Sequence, residues 1–457
     1  MNSLVIYKTL KVKQIINEID FKCTNFTNDT RNIKENSVYI GIKGNNVDGN
    51  TLYMDAFEKG AKLAILENVT IDDETVSYLK DNNKSIIIVD NTIEALGLIA
   101  KERRKEYKKP VIAITGSAGK TSTKDMIFSV LNEKYNVQKT IGNHNNHLGL
   151  PLTILDLKDE SDMLVVEMGM NHFNEISYLT NIAKPSVAVI TNVGTAHIGN
   201  LGSRENILKA KLEILEGLDK DGLLIINNDN DLLHEWYLNN IDNYNIKTFG
   251  MTNKSDYMAT DIKTTEYKSS FKCNDIEYVI PVGGEVFIYN ALAAIAVGTY
   301  YNVDTEKMKK GIKDFELSSN RMNIINNNDI TIIDDCYNAN FDSLKYAIKY
   351  LGSIPTRRIA VIGTMLELGD YSEELHSNVG NIIVDENIDI LITVGEYTNF
   401  INEKAESLGM SKDNSYHYDN NEDAIKKLKE ILTKEDTVLI KASYSMNFKE
   451  IVDSLTK

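Results

Sequence analysis

The chain has 457 residues, too many for one hydrophobic core, and is expected to form about three domains at roughly 100 to 200 residues each. Apolar residues make up 42% of it, enough for a sizeable interior, and 50 basic against 66 acidic residues leave a net charge of −16 without any Lys/Arg block, which excludes nucleic acid as a partner. Three widely spaced cysteines (Cys23, Cys273, Cys336) argue against a disulfide frame or zinc site, and the absence of a signal peptide or membrane-length run points to a cytoplasmic protein with no membrane insertion.

Residues 1–107 alternate short apolar runs (Ser37 to Ile42, Leu63 to Leu66, Ile86 to Val89) with polar helical stretches, the pattern of a small α/β domain. Around one of these strands lie Asp29-Thr30-Arg31, the run Val38 to Gly44 that includes Lys43, and Asp48-Gly49-Asn50. Small polar groups, an arginine and a glycine turn can hold a uracil nucleotide, but by themselves they favour a plain loop and hairpin turn. The charged stretch Lys101 to Lys109 before Pro110 reads as the solvated end of a helix leading into the next domain.

Residues 108–316 alternate strands and helices at the spacing of a doubly wound, mostly parallel sheet, with strands at Val111 to Thr115, Met163 to Glu167, Val187 to Asn192 and Leu223 to Asn227. The first ends in Thr115-Gly116-Ser117-Ala118-Gly119-Lys120-Thr121-Ser122, followed by helical spacing through Met126, Ile127, Val130 and Leu131. Strand, glycine turn and helix are the setting of a phosphate loop, in which backbone N–H groups and Lys120 meet phosphate charge and Thr121 joins a Mg²⁺ shell. Ile114 stands where the common loop pattern has its first glycine, so the loop is of a shorter type. A tight turn that happens to carry Gly-Lys-Thr is the alternative.

The next strand ends in Glu167-Met168-Gly169, an acid placed for magnesium, and the strand after it in Asn192-Val193-Gly194-Thr195-Ala196-His197. His197 could ligate a metal or touch phosphate, or serve equally as a loop hydrogen-bonder. Over Glu205 to Leu218 one helix is expected, with Lys211 in the middle of its apolar side. Lys211 either snorkels to solvent or is a desolvated amine able to take up CO₂ as a carbamate. Residues 317–457, with strands at Ile330 to Asp334, Ile359 to Gly363, Ile390 to Val394 and Val438 to Lys441, form a third, Rossmann-like unit without a complete dinucleotide fingerprint. An Asp pair, Asp334-Asp335, at a strand end facing the central unit would complete the site on closure, with hinges near 107–110 and 315–320.

The chain resembles the Mur ligases, ATP-dependent amide-forming enzymes of peptidoglycan synthesis, and among them the MurF type. The match runs through Asp29-Thr30-Arg31, the phosphate loop, Thr140 to Asn146 with Gly149 to Thr153, Glu167 to Gly169, Asn192 to Gly194 with His197, and Lys209 to Ile214. It continues through Tyr289 to Ala294, Arg321-Met322, Asp334 to Asn340, Gly363 to Gly369 with His376, and Lys441 to Ser443.

The resemblance implies an α/β fold of three domains: a UDP-sugar-binding domain at 1–107, a central doubly wound ATPase domain at 108–316 and a C-terminal domain for the amine substrate at 317–457. It implies that Gly116, Ser117, Gly119, Lys120, Thr121 and Ser122 bind ATP phosphates, that Asn290 meets adenine, and that Arg321 and Asp335 meet the ribose and phosphates. Thr121 and Glu167 would hold one Mg²⁺, and His197 with carbamylated Lys211 a second; Lys120, His197 and Lys211 would be the catalytic set. Asn143, Asn145 and Asn146 would face the UDP-N-acetylmuramoyl-tripeptide, whose UDP end would meet Thr30, Arg31, Lys43 and Gly44. Asn338 and Asn340 would approach D-alanyl-D-alanine, and the enzyme would act as a monomer. The chain departs from the family pattern at Gly199-Asn200, Val286-Phe287, Phe341, Ala442 and Tyr444. A sister ligase with another amino acid or acceptor, and a non-catalytic nucleotide-binding paralogue, are the rival readings.

Overall fold

A computed structural model describes residues 1–317, 321–327 and 329–456. Three sheets follow one another along the chain. The first has five strands, mostly parallel, in the order Val12–Ile16, Ser85–Val89, Ala61–Glu67, Ser37–Ile40, Asn25–Thr27. The third has six, led by an antiparallel edge strand Asn323–Asn327 and continuing in parallel through Ile330–Asp334, Thr437–Lys441, Arg358–Gly363, Ile390–Val394 and Ser415–Tyr418.

The central sheet positions the site. Its strand Val111–Thr115 lies between Met163–Glu167 and Val187–Ile190, parallel to both. The chain leaves this strand, forms Val137–Lys139 and Met163–Glu167 on one side, then crosses to Val187–Ile190 and Leu223–Asn227 on the other. The order reverses at the carboxyl end of Val111–Thr115, the place where such sheets collect ligands.

Side-chain alternation divides the sheet between two cores. Ile112, Ile114, Val165 and Val189 face the helices Lys120–Asn132 and Glu285–Tyr300 through Met126, Ile127, Ala291 and Leu292. Ala113, Leu164, Val166 and Ile190 face the other way, toward Ile154, Leu179 and Ile207 and the first domain's Leu96 and Ile99. Both faces are covered, so these strands read as unbroken apolar runs. The strands without such runs, Asn245–Gly250, Tyr257–Thr264, Ser269–Cys273 and Ile276–Ile280, extend one edge of the sheet, the last three as an antiparallel meander; Tyr257–Thr264 is exposed from Thr260 onward, and the other two alternate.

Two local readings are corrected. The stretch before Pro110 is not all solvated: Arg103 is buried and donates to the Leu157 carbonyl at 2.5 Å and to Asp159 at 2.7 Å, while Arg104 donates to the carbonyls of Ala183 and Lys184 at 2.6 and 2.9 Å. These guanidinium groups satisfy carbonyls left open beyond helix ends, and so clamp the first domain's helix Thr92–Glu106 to the central domain. The helix expected over Glu205 to Leu218 is α-helical only over Arg204–Leu212 and tightens to a 3₁₀ turn over Glu213–Glu216. Docking on the helix Glu175–Ala183 accounts for the change: the Glu213 carboxylate accepts from the Asn174 and Ser177 N–H groups and the Ile214 carbonyl from Thr180 Oγ1. Of the expected second hinge, residues 318–320 lie outside the described residues.

In the last domain, the loop after Arg358–Gly363 is held by His376, which has no exposed surface. Its Nε2 accepts from the Met365 N–H at 3.0 Å and its Nδ1–H donates to the Ser372 carbonyl at 2.6 Å, a pattern that requires the neutral ring. Burial lowers the imidazole's pKa from its ordinary value. The unfolded chain therefore takes up a proton near pH 6.5 that the folded chain resists, so the stabilisation is complete above about pH 6.5 and is lost as the pH falls below it. Chemical denaturation at about pH 7 and about pH 5 should show a larger loss of stability for the wild type than for His376→Gln.

Candidate functional site

The loop after Val111–Thr115 is built by sterics and by backbone hydrogen bonds. Gly116 has φ 154°, and a Cβ there would lie 1.8 Å from Thr191 Oγ1; Gly119 has φ 79° and begins the helix Lys120–Asn132. Asn192 braces the turn by accepting from the Ser117 and Ala118 N–H groups through Oδ1, at 3.0 and 2.9 Å, and Thr191 Oγ1 donates to the Ala118 carbonyl. The Ser117 hydroxyl accepts from the Gly194 N–H. The tip of the neighbouring strand thus serves as the scaffold of the loop.

Beside it, Glu167 is 2% exposed. Its carboxylate accepts from Thr121 Oγ1 at 2.8 Å and Asn145 Nδ2 at 2.7 Å, both neutral donors. Lys120 instead donates to the Gly116 carbonyl at 2.7 Å; burial draws its ammonium below the usual lysine range, while the charge of Glu167 opposes that shift. A buried carboxylate next to a hydroxyl, with neither oxygen bonded to a cation, fits a hard divalent ion that prefers oxygen ligands. Among the described residues no three His, Cys, Asp or Glu side chains gather into a metal cage, so such an ion would complete its shell with substrate oxygens and water.

These groups line a cavity of about 650 Å³ between the central and last domains. Gly119, Lys120, Thr121 and Ser122 form its floor, with Ser117 and Ala118. Asn143, Asn145 and Asn146 line one end with Glu175 and Leu179, and Gly283, Gly284 and Val286 line the other with Tyr346 and Tyr350. Asn290 joins the wall, its Oδ1 accepting from Thr123 Oγ1 at 2.9 Å while its buried Nδ2 has no partner among the described residues.

The last domain supplies the roof. Arg321 stacks 4.1 Å over the Tyr337 ring, and Lys441, 2% exposed, donates to Asp335 at 2.6 Å and to the Asn338 carbonyl at 2.8 Å. Asn340 donates to the Ser117 carbonyl at 3.3 Å. Two residues before Asn340, Asn338 also faces the cavity.

The structure separates some of the expected residues from this cavity. Gly116 lies beneath the loop and does not line it. Lys211, 1% exposed, is not among the residues that line the cavity; among the described residues its amine makes no hydrogen bond or ion pair, and burial together with the charge of Lys120 pushes its pKa well down, against the pull of Asp342. Thr30, Arg31, Lys43 and Gly44 belong to the first domain and stand apart from the cavity; Arg31 is exposed and bonds to Asp29 through Nε and Nη2. His197 lines the cavity in a left-handed conformation (φ 64°), its Nδ1 against the carboxylate of Glu367 from the last domain.

Sequence reasoning passed over Asp342, in the first turn of the helix Phe341–Gly352. Its carboxylate accepts from the Thr195 N–H at 2.8 Å and from Thr195 Oγ1, occupying space that any side chain at Gly194 would fill. It follows the quoted Tyr337 to Asn340 run by two residues, so the motif was a pointer, but its partner belongs to another domain. Glu367 and Lys441 lay inside quoted motifs without an assigned role, and only the structure sets Glu367 against His197 of the central domain and Lys441 on Asp335 and the Asn338 carbonyl.

Residues 114–298 match the Mur ligase middle domain and residues 320–444 the Mur ligase, glutamate ligase domain. The chain is 39% identical to the UDP-N-acetylmuramoyl-tripeptide–D-alanyl-D-alanine ligase of Bacillus subtilis (strain 168), over 93% of this chain and 92% of that one. Among solved structures it is similar to MurF from Acinetobacter baumannii, with a TM-score of 0.88, 27% identity and coverage of 98% and 97% of the two chains. It is also similar to the MurF ligase from Thermotoga maritima in complex with ADP, with a TM-score of 0.81, 26% identity and coverage of 94% and 96%.

The Gly116 geometry can be tested directly. A methyl at this position must displace Thr191 and strain the turn, a cost of about 1–3 kcal/mol. Gly116→Ala should weaken ADP binding by roughly 10- to 100-fold in calorimetry while far-ultraviolet circular dichroism stays that of the wild type.

Proposed function

The chain belongs to the Mur ligase family, and from that membership we propose that it joins D-alanyl-D-alanine to UDP-N-acetylmuramoyl-tripeptide at the expense of ATP, with release of ADP and phosphate. The observation that carries this reading is the shared cavity. The phosphate loop supplies its floor and Arg321, Asp335 and Lys441 of the last domain its roof, so a triphosphate and two further substrates can meet inside one enclosure.

A peptide carboxylate is a poor electrophile, so its oxygen first attacks the γ-phosphorus of ATP, giving an acyl phosphate and ADP. The neutral amine of the dipeptide then attacks the acyl carbon, phosphate leaves, and the amine's proton is lost. Both steps build charge on oxygens, so positioning and electrostatics supply most of the rate. Lys120 and the N–H groups at the head of the helix Lys120–Asn132 hold the phosphates. Arg321, stacked over Tyr337, meets the nucleotide with Asp335, and Asn290 meets the adenine. Asn143, Asn145 and Asn146 orient the peptide, and Asn338 and Asn340 the incoming dipeptide.

Thr121 and Glu167 would hold one Mg²⁺, and His197 with Lys211 as its carbamate a second. When bound, these ions neutralise the charge that develops on phosphate oxygens. The free-amine form favoured at Lys211 by burial supports carbamate formation, in which the amine adds to CO₂ and releases a proton. The first domain, 1–107, would take the UDP end through Thr30, Arg31, Lys43 and Gly44, the central domain would span 108–316 and the closing domain 317–457. Among the described residues no helix is long and apolar enough to cross a membrane.

Incubation with ATP, Mg²⁺, UDP-N-acetylmuramoyl-tripeptide and D-alanyl-D-alanine should yield the UDP-pentapeptide by mass spectrometry, with phosphate release. Lys120→Ala should lower the rate by roughly 100-fold or more; wild-type turnover no faster than this variant's would instead indicate a binding paralogue. The rate should rise with added bicarbonate, and Lys211→Ala should abolish that rise. A fully active, bicarbonate-insensitive Lys211→Ala enzyme would remove the carbamate from the mechanism.

A further inference from the structure

The helix Phe341–Gly352 of the last domain presents one face to the central domain. Asp342, Tyr346 and Tyr350 follow one another at four-residue spacing and so share a stripe, while Leu344, Ile348 and Leu351 turn the other way into the core with Ile362 and Val379. At one end of the stripe the Asp342 carboxylate accepts from the Thr195 N–H at 2.8 Å and from Thr195 Oγ1 at 3.2 Å. At the other end the Tyr350 hydroxyl donates to the Glu266 carbonyl, and Tyr346 between them lines the cavity.

The helix does not need Asp342 as its cap. Asn340 and Ser343 form a reciprocal capping box, the Asn340 side chain accepting from the Ser343 N–H at 2.8 Å and the Ser343 hydroxyl from the Asn340 N–H at 3.1 Å. The carboxylate is thereby left to reach another domain, and the segment it reaches is tied to the phosphate loop. Ser117 of that loop donates its N–H to Asn192 Oδ1 at 3.0 Å, accepts the Gly194 N–H on its hydroxyl at 2.9 Å and accepts Asn340 Nδ2 on its carbonyl at 3.3 Å. The three nearest atoms to a Cβ built on Gly194 would all belong to Asp342, at 2.0, 2.3 and 2.7 Å. The Gly194 backbone lies outside the left-handed region, so the carboxylate and not backbone strain bars a side chain there.

We propose that Asp342 is a positioning residue that seats the last domain on the segment Asn192 to Thr195, and so joins the roof of the cavity to its phosphate loop. The segment that shapes the loop also receives the arriving helix, and Arg321, Asp335 and Lys441 stand over the loop while Asp342 holds Thr195. A ligand gripped by both domains then binds in proportion to the docked fraction of the chain. The docking rests on these contacts alone; its consequence for a nucleotide rests on the ligase reading.

The test uses the full-length chain, with small-angle X-ray scattering for docking and calorimetry for ADP. Asp342→Ala should enlarge the radius of gyration and weaken ADP binding roughly 10-fold, with the far-ultraviolet circular dichroism of the wild type. Asp342→Asn keeps an oxygen for the Thr195 N–H and should stay within about threefold of the wild type. Gly194→Ala should reproduce the losses of Asp342→Ala, because its methyl falls where the carboxylate lies. In the double variant Gly194→Ala/Asp342→Ala the methyl finds that space vacant, so ADP affinity should be no lower than in Asp342→Ala alone. In the ligase assay Asp342→Ala should raise KM for ATP roughly 10-fold and leave kcat within about threefold, since saturating nucleotide restores the docked form. Wild-type radius and ADP affinity in Asp342→Ala, or additive losses in the double variant, would overturn the proposal. Scattering and ADP binding need no peptide substrate, so a chain with the expected pattern that fails to join D-alanyl-D-alanine would sink the proposed function and leave this inference standing.

Discussion

The buried carboxylate of Glu167 is the constraint around which the rest is arranged. It sits at a strand tip with 2% of its surface exposed and only neutral donors, Thr121 and Asn145, on its oxygens. A charge held in this way is costly unless a cation arrives. Lys120, drawn aside onto the Gly116 carbonyl, leaves that place open. A positive ion placed beside these oxygens would offset that cost.

The same economy of placement explains the domain contacts. Asn192 both ends the strand beside the loop and braces the loop's N–H groups, so the sheet's own register sets the shape of the loop. Asp342 and Asn340 of the last domain then rest on Thr195 and Ser117, the same two loops, and Glu367 on the histidine just beyond. Glycines at 194 and 199 are what make such close seating possible, because at either position a Cβ would overlap the arriving domain. On the other side, Arg103 and Arg104 fasten the first domain's long helix to the central sheet. The first domain is clamped by charged groups on open carbonyls, whereas the last is seated by short polar contacts around the cavity, which suits a domain that must release product.

The strands flanked on both faces were legible because burial on both sides leaves an uninterrupted apolar run, as in Val111–Thr115, Met163–Glu167 and Ile390–Val394. The edge strands were not: Asn323–Asn327 and Ser415–Tyr418 bury little and carry polar residues, so their pairing is decided by neighbours rather than by their own composition. The 3₁₀ ending at Glu213–Glu216 escaped the helical period for the same reason, since it is imposed by contacts with Asn174, Ser177 and Thr180.

By itself the sequence determined the strand–glycine turn–helix order, the acid and histidine at the strand ends, the place of Lys211 on the apolar side of its helix and the family, because each rests on local spacing or on a run of residues that neighbours in the chain can specify. Only the tertiary structure decided that Lys211 is buried rather than snorkelling out, that Asn145 and Thr121 share Glu167, and that Glu367 and Asp342 cross from the last domain. Those are contacts between residues 22 to 170 positions apart. Nothing in the spacing of a chain encodes such pairs until the sheets have set their strand order and the domains have met, because side-chain packing across an interface depends on the shape of both surfaces at once.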